Sequence, residues 1–267
     1  MVTFELNGRL IQTDADKNLL SFLRKDMGIK SAKDGCSEGA CGTCSVLVDG
    51  VSRRACTLQV QKLDGKRIVT VEGLSDYEKQ VYAYCFAKAG AVQCGFCIPG
   101  MVISAKALLD KNLSPTRKEV AQALVGNICR CTGYQKIFDA ILMAAEFFRE
   151  HKEVPEYKTT GRVAEDVLRI DAYAKTLGTG EYVDDMEMPD MVYASAVRSS
   201  YPRAVVEEID TSEALAYPGV IAVITAEDIP GQNKHGHLVK DWDVLIAKGD
   251  TTRYVGDAIA LVVAETE

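Results

Sequence analysis

The sequence has 267 residues, of which 47% are hydrophobic, 26% charged and 7% aromatic. This composition is typical of a globular chain of about two domains and excludes a disordered or fibrous protein. The net charge of −7 argues against a nucleic-acid-binding surface. No apolar run reaches the ~20 residues of a membrane-spanning helix, and the N-terminus lacks the pattern of a secretory signal. We therefore expect a cytoplasmic chain that binds no nucleic acid and inserts into no membrane.

Residues 1–75 are predicted to form a β-grasp domain, because they show two hairpin signals, one short helix and a last strand near residues 68–71. The turn and cap residues that predict these elements are Asn7-Gly8, Asn18, Gly28 and Asp49-Gly50. Such a domain is typical of plant-type ferredoxins.

Residues 76–150 change to a helical period, which predicts a four-helix domain. The helices are expected at residues 77–89, from Pro99 onward, after a capping box formed by Thr116 and Glu119, and at residues 134–148. Residues 151–164 are expected to be a linker because they combine charges with Pro155 and Gly161.

Residues 165–267 return to a mixed pattern, so the whole chain is predicted to be an α+β multidomain protein. Strands are expected at residues 191–198, 220–225 and 258–264, with a short helix at residues 212–217. The last strand is apolar at consecutive positions, so we expect both of its faces to be buried.

Nine cysteines carry most of the chemical information, and all of them lie between Cys36 and Cys131. A disulfide scaffold is usually a short secreted chain with an even number of cysteines. This chain has an odd number and no export signal, so its thiols are expected to be reduced and to bind metal.

Four of the cysteines have the C-x4-C-x2-C…C spacing of a plant-type [2Fe–2S] centre. They are Cys36, Cys41, Cys44 and Cys56. Gly35, Gly39 and Gly42 give the loop the freedom to curl around a cluster and bring backbone amides close to its sulfurs. A zinc site or buried free thiols are the alternatives.

Four more cysteines form the pairs Cys94-x2-Cys97 and Cys129-x-Cys131. Two such pairs facing each other could hold a second [2Fe–2S] cluster, one pair per iron, with structural zinc as the alternative. Cys85 is left over and is expected to be a buried, inert thiol. His235 and His237 flank Gly236 in a polar loop and are expected to face solvent.

Three segments resemble the xanthine oxidase (molybdenum hydroxylase) family. They are CSEGACGTC at residues 36–44, QCGFCIPG at 93–100 and GNICRCTGY at 126–134. The resemblance assigns residues 1–75 and 76–150 to the family's two iron–sulfur domains and makes two [2Fe–2S] clusters the expected cofactors. Residues 165–267 resemble the incomplete α/β hammerhead that opens the molybdenum subunit, through TGEY at 179–182, DD at 184–185, VRS at 197–199, AYPGV at 216–220 and RYVG at 253–256.

The resemblance implies that substrate is hydroxylated at a molybdenum–pterin centre, with oxygen derived from water. Electrons would leave through the helical-domain cluster, then the β-grasp cluster, and reach a flavin or an external acceptor. It also implies that Gln93 and Cys131 contact the pterin. A molybdenum-binding catalytic chain would hold most of the molybdopterin-type cofactor, and FAD, if present, would lie on a separate subunit.

The sequence departs from the family pattern in two respects. No flavin domain lies between the helical domain and the hammerhead, as in flavin-free aldehyde oxidoreductases and selenium-dependent xanthine dehydrogenases. Up to Glu267, the family's cofactor-binding lobes and catalytic glutamate have no counterpart, so no catalytic residue is assigned.

The prediction is the electron-transfer part of a molybdenum-dependent xanthine or purine dehydrogenase. The cysteine segments most resemble selenium-dependent xanthine dehydrogenases, which favours a purine substrate. An aldehyde oxidoreductase is the second candidate. Two further classes are a stand-alone ferredoxin-like electron carrier and a zinc-stabilised interaction module.

Overall fold

The computed structural model describes residues 1–165, 167–186 and 188–266. The chain divides into two compact units, Met1–Asp185 and Met186–Glu267. Glu267 itself and the side chain of Asp184, which belongs to the hammerhead motif, lie outside the described part. Among the described residues, no helix has the length and apolar character needed to cross a membrane.

The first unit begins with a five-stranded sheet. Its strands are β1 (Val2–Leu6), β2 (Arg9–Thr13), β3 (Ser45–Val48), β4 (Val51–Arg54) and β5 (Arg67–Val69). The strand order is β2-β1-β5-β3-β4, with β1 and β5 parallel and the other neighbours antiparallel. Helix α1 (Leu19–Ser21) continues as a π-helical turn at Phe22–Asp26 and packs on this sheet. The β-grasp prediction is confirmed.

Both predicted hairpins form, since Asn7-Gly8 and Asp49-Gly50 have the positive φ angles that two-residue turns need. The last strand is shorter than expected. Strand β5 ends at Val69, and Val71 begins a 3₁₀ turn. The side chain of Asn7 explains the end of the strand, because its Oδ1 accepts a hydrogen bond from the Thr70 amide at 2.9 Å.

Four helices follow the sheet, as predicted. They are α2 (Asp76–Lys88), α3 (Ile98–Leu109), α4 (Arg117–Ala123) and α5 (Gln135–Glu150). Thr116 and Glu119 form the expected capping box, and Pro99 lies in the first turn of α3. Ser75 and Glu78 form a second capping box at the start of α2, which the sequence analysis did not anticipate.

The first compact unit extends beyond the predicted linker. The described residues 151–171 form no helix or strand, and α6 (Ala172–Leu177) then packs on the helical domain. Leu168 and Ala172 are buried in the helical core, which explains why this segment belongs with the first unit. The sequence analysis assigned residues 165–185 to the hammerhead, and the predicted domain boundaries stay predictions.

The second unit contains an antiparallel sheet of order β6-β10-β7 and a two-stranded ribbon. Its elements are β6 (Tyr193–Arg198), α7 (Ser212–Leu215), β7 (Val220–Ile224), β8 (Lys234–His235), β9 (Trp242–Asp243) and β10 (Ala258–Ala264). Within this unit only Ala260 of β10 is buried, and the other residues of the strand are half-buried. Burial of both faces of β10 therefore stays a prediction, which requires a cover from outside this unit.

Candidate iron–sulfur centres

The first four predicted ligands, Cys36, Cys41, Cys44 and Cys56, come together at one end of the β-grasp sheet and are called the first quartet. The loop that carries three of them ends where β3 begins, and Cys56 follows β4 in a 3₁₀ turn. The Ala55 amide donates to the Cys44 carbonyl at 3.1 Å, which holds that turn against the loop. The Cys41 amide donates to Cys36 Sγ at 3.4 Å, and Cys56 and Cys41 lie close enough to Cys44 to influence the pKa of its thiol.

Cys36 and Cys44 of the first quartet have different environments. Backbone amides of Cys41, Glu38 and Ala40 lower the pKa of the Cys36 thiol to about 7. Burial raises the pKa of the Cys44 thiol to about 12. Cys44 therefore becomes a thiolate only when a metal replaces its proton, which couples its ionisation to cluster binding.

Cys94, Cys97, Cys129 and Cys131 form a second quartet within the helical domain. Cys94 and Cys97 precede α3, and Cys129 and Cys131 lie in the loop before α5. Thr132 Oγ1 donates to Cys129 Sγ at 3.1 Å, and the Cys129 amide donates to Tyr134 Oη at 2.8 Å. These bonds hold the loop in a fixed conformation around its thiols.

The thiols of the second quartet lie close enough to influence one another across the two motifs. Besides burial, Cys129 and Cys94 both raise the pKa of the Cys97 thiol. Cys94 and Cys129 both interact with the Cys131 thiol. The expectation that each motif binds its own iron stays a prediction. Cys97 is buried, while Cys94 and Cys131 are exposed. Burial raises the pKa of the Cys97 thiol above its usual range.

The donor set of both quartets consists of thiols. All nine cysteines are free. A [2Fe–2S] centre takes two thiolates on each of two irons, so each quartet supplies the number of thiolates that one cluster requires.

The loops of the two quartets contact each other directly. The Ile128 amide donates to the Cys41 carbonyl at 2.8 Å, and Asn127 Nδ2 donates to the Gly42 carbonyl at 2.9 Å. Ser104 Oγ in turn donates to Asn127 Oδ1 at 2.8 Å. This contact was not predicted from the sequence. The only available signal was the Gly126-Asn127 step immediately before the second pair of cysteines.

The remaining predicted residues are found in the expected environments. Cys85 is fully buried, and burial raises the pKa of its thiol to about 12, which fits an inert thiol. His235 and His237 are exposed. Gln93 is exposed beside Cys94, and its predicted pterin contact stays a prediction, as does that of Cys131.

Three families match the chain. A family described as a 2Fe-2S iron-sulfur cluster binding domain matches residues 16–80, and a [2Fe-2S] binding domain matches residues 70–142. The a/b hammerhead domain of aldehyde oxidase and xanthine dehydrogenase matches residues 177–267. Together they cover both iron–sulfur domains and the second unit.

Individual proteins resemble the chain over different lengths. The nicotinate dehydrogenase small FeS subunit of Eubacterium barkeri is 47% identical over 148 residues, which are 54% of this chain and 94% of that relative. The aldehyde oxidoreductase of Megalodesulfovibrio gigas is 37% identical over 95% of this chain. This chain spans only 30% of the length of that relative.

A solved structure agrees with the fold. The aldehyde oxidoreductase from Desulfovibrio desulfuricans ATCC 27774 superimposes with a TM-score of 0.87 and 32% identity. The match covers 100% of this chain and 32% of the solved chain. The chain therefore belongs to the molybdenum hydroxylase (xanthine oxidase) family and carries two [2Fe–2S]-binding domains followed by hammerhead residues.

Proposed function

We propose that this chain is the electron-transfer part of a molybdenum hydroxylase. Each [2Fe–2S] group, when bound, supplies a one-electron carrier. The second quartet takes electrons from the molybdopterin side, and the first quartet passes them to a flavin or an external acceptor.

The hydrogen bond from the Ile128 amide to the Cys41 carbonyl, 2.8 Å long, carries this proposal. Cys41 belongs to the first quartet, and Ile128 precedes Cys129 of the second quartet. One hydrogen bond and a short run of covalent bonds therefore connect the ligands of the two clusters. Such a connection is suited to electron transfer within one protein, whereas a structural zinc site does not require it.

The exposure of two thiols of the second quartet supports its place at the start of the path. Gln93, Cys94 and Cys131 are all exposed on the helical domain. A molybdenum-binding chain approaching this surface would bring its pterin to Gln93 and Cys131. Most of the molybdopterin-type cofactor would remain on that partner, and any FAD would lie on a further subunit.

The substrate class is best supported as an aldehyde. The aldehyde oxidoreductases resemble the chain along almost its whole length, hammerhead residues included. The purine preference expected from the cysteine segments has less support. A probable xanthine dehydrogenase subunit of Bacillus subtilis is 41% identical over 44% of the chain. Nicotinate is a third candidate because of the Eubacterium barkeri relative.

Metal analysis and electron paramagnetic resonance test the proposal. The purified protein should contain about four irons and four labile sulfides, as two [2Fe–2S] clusters require, and show two distinct signals on reduction. With its partner chain present, an aldehyde should reduce both clusters. Zinc in place of iron, or a single signal on full reduction, would contradict the assignment.

Co-purification separates this function from that of a stand-alone carrier. An electron-transfer part of one enzyme has a stoichiometric molybdenum-binding partner, whereas a ferredoxin-like carrier has none. The second unit supports the first possibility, because a hammerhead domain has no role in a free electron carrier.

A further inference from the structure

Lys33 is a charged residue in the interior of the iron–sulfur unit. It lies three residues before Cys36, and only 1% of its surface is exposed. Burying an ammonium group carries a large desolvation cost unless partners compensate for it. Burial lowers the pKa of Lys33, and the carboxylate of Asp185 opposes that shift.

The partners of Lys33 are one nearby carbonyl group and one carboxylate from a distant part of the chain. Its Nζ lies 3.2 Å from Asp185 Oδ2 and donates to the Lys30 carbonyl at 2.9 Å. Asp185 also accepts a hydrogen bond from Arg24 at 2.8 Å. The carboxylate of Asp185 is therefore held by two cationic side chains of the β-grasp domain.

An aromatic pair connects this charge to the loop of the second quartet. Lys33 Nζ lies 4.8 Å from the centroid of the Tyr182 ring and 5.8 Å from that of Phe96. The two rings pack edge to face with centroids 5.2 Å apart. Phe96 stands between Cys94 and Cys97, and Tyr182 Oη donates to the Cys94 carbonyl at 2.8 Å.

The loop that carries Cys94 also packs tightly against α6. A Cβ atom at Gly95 would lie 2.6 Å from the Cβ of Lys175. The segment from α6 to Asp185 thus contacts the Cys94–Cys97 loop through the Lys175 side chain and the Tyr182 hydroxyl, and it contacts the β-grasp domain through Asp185.

We propose that Lys33, Tyr182 and Asp185 are positioning residues for the second cluster, which hold the Cys94–Cys97 loop and set the reduction potential of the cluster through the buried charge pair. This inference rests on the electron path proposed above. Reduction adds negative charge to the cluster, so the Lys33 ammonium favours the reduced state and the Asp185 carboxylate opposes it.

The test compares Lys33→Met with Asp185→Asn in the cluster-loaded full chain, by redox titration monitored by electron paramagnetic resonance. Lys33→Met should lower the second-cluster potential and Asp185→Asn should raise it. At an effective dielectric constant of about 20, we expect each change to be on the order of tenfold in the one-electron equilibrium, or about 59 mV. The signal altered by Cys131→Ser identifies the second cluster.

The double variant Lys33→Met/Asp185→Asn should return the potential close to its original value. The exposed Lys17–Asp26 ion pair is a matched control, because its atoms are 3.0 Å apart and both side chains are 37% exposed. Lys17→Met and Asp26→Asn should leave the second-cluster potential unchanged. The proposal would be overturned if Lys33→Met and Asp185→Asn shifted the second-cluster potential in the same direction, or did not shift it. A purely structural role does not predict that the two substitutions shift the potential in opposite directions.

If the Lys33→Met protein does not retain its second cluster, Tyr182→Phe provides an independent test. This variant keeps the ring and removes only the hydroxyl that donates to Cys94. It should lower the second-cluster potential while the first-cluster potential stays constant, and an unchanged second-cluster potential would overturn the proposal. Absence of a second cluster from the unsubstituted protein would instead contradict the proposed function, so the two failures are distinguishable.

Discussion

Replacing Gly42 by alanine tests the contact between the two cluster loops. Gly42 has a φ of +69°, and a Cβ atom there would lie 2.1 Å from the Gly126 carbonyl oxygen. An ordinary contact between such atoms needs about 3.5 Å, so the Gly126 segment must move by more than ~1 Å. That movement would lengthen the hydrogen bonds from Ile128 to Cys41 and from Asn127 to Gly42 beyond bonding range.

The magnitude follows from these contacts. Two hydrogen bonds contribute about 0.5–1.5 kcal/mol each, and a left-handed alanine costs about 1–2 kcal/mol, so we expect a loss of about 2–5 kcal/mol. Gly50 offers a matched control, because its φ is +79° and a Cβ atom added there would have no other atom within 4 Å. Gly50→Ala should cost only the backbone term of about 1–2 kcal/mol.

Hydrogen exchange of peptides covering residues 124–134 in the cluster-loaded protein measures the effect. The Ile128 amide should lose about tenfold to a hundredfold protection in Gly42→Ala, since each 1.4 kcal/mol changes an equilibrium by about tenfold. Its protection should be unaffected by Gly50→Ala. Equal exchange in the two variants would refute the conclusion that this contact joins the loops.

Two further predictions concern single side chains of the helical domain. Cys85→Ser should leave the iron content and both paramagnetic signals intact, because the Cys85 thiol is fully buried and belongs to neither quartet. Glu78→Gln should remove a pH dependence of stability. Burial raises the pKa of Glu78, but hydrogen bonds from Lys106 and Ser75 outweigh it, so the pKa lies below its usual value of 4.5. Above pH 4.5 the ionised Glu78 therefore contributes about 1 kcal/mol to the free energy of unfolding, and this contribution is lost as the pH falls through the lower pKa of the folded state. Urea unfolding at a series of pH values should show this loss in the unsubstituted protein and not in Glu78→Gln.

The sequence was sufficient to predict features that depend on short stretches of chain. The spacing of Cys36, Cys41 and Cys44 predicts a cluster loop because all three thiols must reach one centre from a single curl. The same holds for the capping box of Thr116 and Glu119 and for the two hairpin turns, which also involve only residues close in sequence. Each of these features could be predicted because its energetics depend on neighbours within a few residues.

The contacts that organise the site could not be predicted in this way. Asn127 and Gly42 are 85 residues apart, and Lys33 and Asp185 are 152 residues apart. Nothing in the sequence around Lys33 distinguishes it from a surface lysine. Its burial depends on a carboxylate and an aromatic ring that arrive only when the segment after α6 packs on the iron–sulfur unit.

The Cys94–Cys97 and Cys129–Cys131 motifs show the same limit. The spacing of each motif predicts thiol pairs, but it does not say that the two motifs belong together. Their thiols influence one another only because the fold brings the segments before α3 and α5 into proximity.

The second unit is expected to depend on a partner for its stability. Apolar side chains of its sheet remain open to solvent, and Val197 and Ile221 are 46% and 53% exposed. Few buried apolar contacts mean a low free energy of local opening. In the isolated chain, amides of β6, β7 and β10 should therefore exchange faster than those of α2 and α3.

Hydrogen exchange of the full chain, with and without the proposed molybdenum-binding partner, tests this dependence. The amides of α3 are an internal control, because that helix lies in a core that packs around the second quartet. Addition of the partner should protect β10 and leave α3 unchanged. A second unit that is already as well protected as α3 in the isolated chain would contradict the prediction, since its half-exposed sheet would then be stable without any cover.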